Sequence, residues 1–175
     1  MEETRWLDER EQRAWRAYLA ATRLLAAQLE RELQRDSGMP HAYYEILVRL
    51  SEAPGRTLRM SELAEASESS RSRLSHAVAR LEENGWVVRE TCESDRRGAF
   101  ARLTDEGFSA LAAAAPSHVA SVRTHLIDPL TPVQVDQLRE ISEAVLRGLG
   151  RHGADTGCDA AQAADAAGRQ ARADT

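Results

Sequence analysis

The sequence contains no lysine; all 23 of its basic residues are arginine. With alanine abundant, that bias reflects GC-rich coding more than any function. Cysteine is scarce too, at 2 in 175 residues, and Cys158 falls in a polar tail remote from Cys92. No disulfide framework follows, and a reducing, cytoplasmic setting fits. Aromatic residues make up only 5%, too few for a platform that stacks single-stranded bases. No apolar run approaches the ~20 residues of a membrane span. The opening residues MEETRWLDEREQR are charged throughout, so no signal peptide is expected. There is no phosphate-binding glycine loop, no nucleophile elbow and no paired-histidine metal motif. No catalytic residue, metal or cofactor is therefore expected.

What is present is a globular composition, 42% hydrophobic and 29% charged. The length suffices to bury a core without disulfides or metals. The net charge of −5 does not exclude a nucleic-acid partner, because the local field where phosphate docks decides that.

Apolar residues between Asp8 and Arg35 recur at steps of three, four and seven (Trp15, Tyr18, Leu19, Leu25, Ala26, Leu29, Leu33), predicting one long helix that Gly38 ends. A second helix begins at Met39-Pro40, with Pro40 in its first turn and Tyr43, Ile46, Leu47 and Leu50 facing inward. Thr57–Arg59 reads as a short extended piece and Ser61–Ala66 as a short helix. Ser70 is a good N-cap for the helix that follows, whose inner stripe is Leu74, Ala77, Val78 and Leu81. Two strands, Trp86–Thr91 and Ala99–Leu103, flank a polar loop at 93–98. Thr104 caps another long helix, which Pro116 is expected to kink or split. Thr131-Pro132-Val133-Gln134 opens the last helix with a capping box. From Arg151 onward no Val, Ile, Leu, Met, Phe, Trp or Tyr occurs, so 151–175 reads as a disordered tail.

The middle of this order is a helix-turn-helix followed by a two-stranded wing, a motif that lays its second helix in the DNA major groove. With Leu74, Val78 and Leu81 inward, Ser72, His76 and Ala79 face out. Arg73 and Arg80 flank them on one side and Ser75 on the other. Guanidinium, imidazole and hydroxyl groups all donate to base edges or phosphates. Arg96 and Arg97 stand on the wing. From Ser69 to Leu103 seven arginines face five acids, so that stretch is positive in an acidic chain.

The run LAEASESSRSRLSHAVARLEENGWVVRETCESDRRGAFARLTDEG resembles the MarR family of bacterial regulators. Its most specific part is Asp95-x-Arg97, then five residues, then Leu103-Thr104-Asp105-Glu106-Gly107. The resemblance extends from about Arg13 to Gly148. It implies a mainly α fold in which a winged helix-turn-helix DNA-binding lobe (40–103) joins a helical dimerisation region from both chain ends (8–36 and 104–149). Together these form one domain over 1–150. It further implies a homodimer that reads a pseudopalindrome in duplex DNA, more often as a repressor, and in many members release by a small aromatic effector. Carried onto this chain, Ser72, Arg73 and His76 read the groove and the cap Ser70 holds a phosphate. Arg97 is the wing arginine, with Arg96 beside it, and Asp95 steadies the wing. A ligand pocket between the two regions would draw on Trp15, Tyr18, His41, Tyr43 and Tyr44, although aromatics at helical spacing also serve as core. His118 and His125 read as solvated or interface residues.

Two other readings compete. A winged helix used only for protein–protein contact has no need of two arginines on an exposed hairpin. A redox-sensing regulator would need a reactive Cys92.

Overall fold

The computed structural model describes residues 4–67, 69–92 and 95–150, with backbone alone for 91, 92 and 95–98. The tail expected over 151–175, Cys158 within it, lies outside the described residues. Helix α1 spans Glu9–Ser37. Asp8 and Glu11 cap it reciprocally, each carboxylate accepting the other's backbone N–H at 2.8 and 2.9 Å. Gly38 stops it at φ 66°, a left-handed conformation that costs glycine little. Only Leu33, near its end, is buried; Trp15, Tyr18, Leu19 and Leu24 are 43–69% exposed.

Helix α2, His41–Glu52, buries Tyr44, Ile46, Leu47, Val48 and Leu50. Pro40 is its N-cap rather than part of its first turn, and the Pro40 carbonyl accepts the N–H of Tyr43 and Tyr44. A single tight turn, Pro54–Arg56, then leads into strand β1, Thr57–Arg59. Arg56 has φ 54°, unusual outside glycine. Its guanidinium lies 4.0 Å over the Phe108 ring and 3.1 Å from Asp105, contacts that hold the turn.

Helices α3 (Met60–Ala66) and α4 (Arg71–Glu83) form the helix-turn-helix. Strands β2 (Val87–Cys92) and β3 (Asp95–Leu103) follow, and the antiparallel sheet has the order β1-β3-β2. Thr57–Arg59, expected as an isolated extended piece, is thus a sheet strand paired with Phe100–Arg102. The hairpin also departs from expectation. Pairing is regular from Val87↔Leu103 to Thr91↔Ala99, then jumps to Cys92↔Asp95. Residues 95–98, read as loop, belong to β3, because a bulge absorbs the extra residues and lets pairing resume beyond it.

Helix α5, Asp105–Val122, runs through Pro116 as one helix, so of the expected kink or split the split does not occur. Pro116 itself is exposed, whereas Leu111, Ala114 and Ala115 beside it are buried. Packing of that face on α1 and α2 outweighs the roughly 3 kcal/mol cost of an internal proline. A wider π-turn, Arg123–Ile127, ends the helical run. Helix α6, Pro132–Gly148, opens with the expected Thr131–Gln134 capping box. None of its residues is buried, and Val133, Ile141 and Val145 stand exposed.

One cluster forms the core. Leu47 and Leu50 of α2, Leu63 of α3 and Leu74, Val78 and Leu81 of α4 meet Val87, Ala101 and Leu103 of the sheet and Leu111 of α5. Among the described residues no helix is long and apolar enough to cross a membrane.

The join between wing and α5 tolerates no side chain at Gly107. A Cβ there would lie 2.1 Å from the Trp86 carbonyl oxygen and 2.8 Å from Leu103 Cδ1. Thr104 fixes that approach: its hydroxyl donates to the Gly85 carbonyl at 2.7 Å and its N–H to the Trp86 carbonyl at 3.0 Å. Gly107→Ala is expected to cost about 2–3 kcal/mol of unfolding free energy through overpacking against backbone. Gly148→Ala, with nothing within 4 Å, is expected to gain up to about 1 kcal/mol. Urea unfolding of both variants at fixed chain concentration checks the pair; equal effects would contradict the close approach.

Candidate nucleic-acid interface

Helix α4 exists as a helix because three local requirements agree. Ser70 accepts the Arg73 N–H at 3.3 Å, which satisfies one free donor of the first turn. Leu74, Val78 and Leu81 share one face and are buried to 1% exposure or less. Asn84 and Gly85 then end the helix, Gly85 at φ 72°.

That anchoring leaves the opposite face outward. Ser70, Arg71, Ser72, Arg73, His76 and Arg80 are exposed, while Ser75, Ala77 and Ala79 are half-buried. Tyr43 of α2 closes one flank, lining a shallow groove with Arg73, His76, Ala79, Arg80 and Glu83. Of the residues read as DNA contacts, the structure therefore gathers Ser70, Ser72, Arg73 and His76 on one open surface. It places Ser75 elsewhere, on the flank facing β2, where the Arg89 guanidinium donates to the Ser75 carbonyl at 2.6 Å. The side chains of Asp95, Arg96 and Arg97, and that of Cys92, lie outside the described residues.

The charges of this lobe divide into two groups. Arg80 pairs with Glu83 at 2.6 Å, Arg89 with Glu82 at 2.9 Å and Arg102 with Glu90 at 2.5 Å. The Glu83 carboxylate raises the Arg80 pKa further, through its hydrogen bond and its charge. Arg71 and Arg73 have no ion-pair partner among the described residues. Unneutralised charge thus gathers at the N-terminal half of α4, the end a helix-turn-helix points at bases. The helix dipole is positive at that end as well and adds to the attraction for phosphate.

The five aromatic residues read as a pocket do not share one place. Trp15 and Tyr18 stack on each other, ring centroids 6.4 Å apart, on the exposed face of α1. Tyr43 faces α4. His41 and Tyr44 close on His118 of α5, with centroids 5.3 and 4.5 Å from its ring. The His118 imidazole is half-buried, and burial, with His41 nearby, holds its pKa down to about 4. His125, seven residues on, serves a different purpose and lies 2.9 Å from Glu32 of α1. Hydrogen bonds from Ser121, His125 and Gln28 hold the Glu32 carboxyl at about 2. No cluster of three or more His, Cys, Asp or Glu that could hold a metal occurs among the described residues.

Sequence reasoning missed Arg89 as a tie and His118 as part of the ring cluster. Arg89 lies seven residues after Glu82, a separation that carries no signal until a turn folds the strand back along the helix. His118 is brought to His41 only by helix packing between chain ends.

Comparison with known proteins agrees with this fold. Residues 37–98 match the model of the MarR family. Sco3205 of Streptomyces coelicolor, a MarR family transcriptional regulator solved in complex with DNA, is 55% identical, with a TM-score of 0.82. The similarity covers 89% of this chain and 97% of that one. AbsC of the same organism, another MarR family regulator, is 49% identical over 83% of this chain and 98% of its own, with a TM-score of 0.78. The transcriptional repressor MprA of Escherichia coli is 26% identical over 118 residues, 67% of this chain and 66% of its own. The chain thus spans just under two thirds of that curated relative.

The His118 environment fixes a pH response. A free imidazole titrates near 6.5, so a value near 4 in the fold means that protonation favours unfolding. His118 therefore contributes no penalty above pH ~6.5 and costs stability as the pH falls toward 4. Glu32 touches only the lower edge of that window, since its contribution is lost as the pH falls from ~4.5 toward 2, and it does so equally in wild type and in a His118 variant. His118→Phe is expected to lose less stability than the wild type between pH 6.5 and 4, measured by urea unfolding across that range. Parallel losses in the two proteins would show that His118 is not held neutral.

Proposed function

The chain belongs to the MarR family of winged helix-turn-helix transcriptional regulators, DNA-binding proteins and not enzymes, and from that premise we propose that it acts as a homodimeric repressor. Two copies of α4 would enter successive major grooves of a pseudopalindromic operator and occlude a promoter. The observation that carries this reading is the outward face of α4, where Ser72, Arg73 and His76 stand exposed and Arg73 has no acidic partner among the described residues. Arg97 of each wing, with Arg96 beside it, would add a minor-groove or phosphate contact, and Asp95 would steady the hairpin. The relatives support the assignment: one was solved with DNA and another is named a repressor.

Two copies are supported by the ends of the chain. One lobe does not cover Trp15, Tyr18, Leu19 and Leu24 of α1, nor Val133, Ile141 and Val145 of α6. Apolar faces of this extent mark an interaction surface, and C2 pairing of the two terminal helices is the commonest solution. A small aromatic effector is proposed to bind beside His41, Tyr44 and His118, where rings already meet between α2 and α5. The setting proposed for this work is the bacterial cytoplasm.

Two experiments follow. Selection of bound sequences from random duplex DNA should return a pseudopalindrome for the wild type. Arg73→Ala and His76→Ala should each relax preference at defined positions by about 1–3 kcal/mol. Ser70→Ala should weaken all sequences alike, through a lost cap and phosphate contact. Equal losses on selected and random DNA for all three would mean that another face of the helix reads bases. Separately, a chain starting at Leu24 should be monomeric by sedimentation; a dimer of unchanged affinity would remove α1 from the interface.

A further inference from the structure

Arg89 stands on β2, the first wing strand, yet its side chain turns back onto α4. Four contacts define its place. Nη2 donates to the Ser75 carbonyl at 2.6 Å, and Nη1 lies 3.5 Å from the Ser75 hydroxyl. Nε lies 2.9 Å from one Glu82 carboxylate oxygen, while the other accepts the Arg89 backbone N–H at 3.1 Å. The guanidinium is two-thirds covered, its side chain 32% exposed.

Ser75 and Glu82 are seven residues apart, two turns of helix or about 10 Å along its axis. One strand residue therefore grips α4 at two levels. The Ser75 carbonyl belongs to the helix ladder and offers its second lone pair to the guanidinium. The planar fork of arginine can serve both levels at once, which the point charge of lysine cannot. The grip also differs in kind from the seam beneath it. Leu74, Val78 and Leu81 hold the helix down by non-directional contact, which resists removal more than it resists rotation. A guanidinium hydrogen bond to the Ser75 carbonyl at one level and an ion pair with Glu82 at the other, both on one flank, resist roll about the helix axis. A roll would swing Ser72, Arg73 and His76 together relative to the wing.

We propose that Arg89 is a positioning residue for DNA recognition: it sets the roll of α4 against the wing and so governs discrimination between operator and random DNA without touching DNA itself. The inference rests on the DNA-binding reading above. Base-edge hydrogen bonds depend on direction as well as distance, whereas phosphate attraction is tolerant of small rotations. Loss of Arg89 should therefore spare the second and damage the first.

The test compares wild type, Arg89→Ala and Arg89→Lys for affinity toward the selected operator and toward random duplex, each across a salt titration. Both variants are expected to lower the operator-to-random ratio about tenfold or more, with random-duplex affinity within about twofold and an unchanged salt slope. Arg89→Lys keeps the charge and guards against a fold lost in Arg89→Ala, since only the fork is removed. A salt slope flattened by about one unit, with both affinities falling together, would show that Arg89 binds phosphate and overturn the proposal. So would a wild-type ratio in Arg89→Lys. A wild-type chain that binds neither DNA would instead overturn the functional reading, and the proposal with it.

Discussion

Burial of Leu74, Val78 and Leu81 against α2, α3 and β2 is the constraint from which the rest of the lobe follows. Each fully buried aliphatic side chain contributes about 1.5–3 kcal/mol, so the seam as a whole rivals the net stability of a small domain. With that face of α4 committed inward, helical geometry leaves Ser72, Arg73 and His76 no direction but outward. The surface proposed to read DNA is thus the complement of the surface that folds. The glycine at 107 belongs to the same constraint, because only a missing Cβ lets α5 close on the Trp86 carbonyl and the sheet that carries Val87 and Leu103.

Electrostatics refines what packing exposes. The stretch from Ser69 to Leu103 carries a modest excess of arginine, yet excess alone does not say where attraction acts. Arg80, Arg89 and Arg102 are each matched to a glutamate on the same lobe. What the described residues leave unmatched is Arg71 and Arg73, beside a capped helix N-terminus. A chain of net charge −5 can hold a strongly positive edge because its acids are spent locally or lie elsewhere.

The apolar period of α4, its serine cap and the stop at Asn84-Gly85 are local signals, so that helix and its outer face were legible in the sequence. The capping boxes at Asp8 and Thr131 are equally local. What was not legible depends on separation in the chain. β1 joins the sheet through partners more than forty residues away, and three residues of extended pattern do not announce a partner. The bulge in the hairpin shifts the start of β3 to Asp95, because the turn pattern of 93–98 was compatible with a longer loop. Pro116 reads locally as a point where the helix could split, and burial of its neighbours keeps the helix in one piece. The surroundings of Ser75 and Tyr43 were not legible for the same reason. Periodicity gave the helical face of each, but what occupies the neighbouring space, Arg89 in one case and α4 in the other, is a tertiary fact.

On the proposed reading, two outward α4 faces, tied together through the chain ends, grip one duplex. Hydroxyl-radical footprinting on a duplex carrying the selected operator tests it most directly. Two protected windows are expected, centred one helical turn apart or a whole multiple of it, and related by the dyad of the site. A single protected window, or protection spread evenly along the duplex, would contradict it.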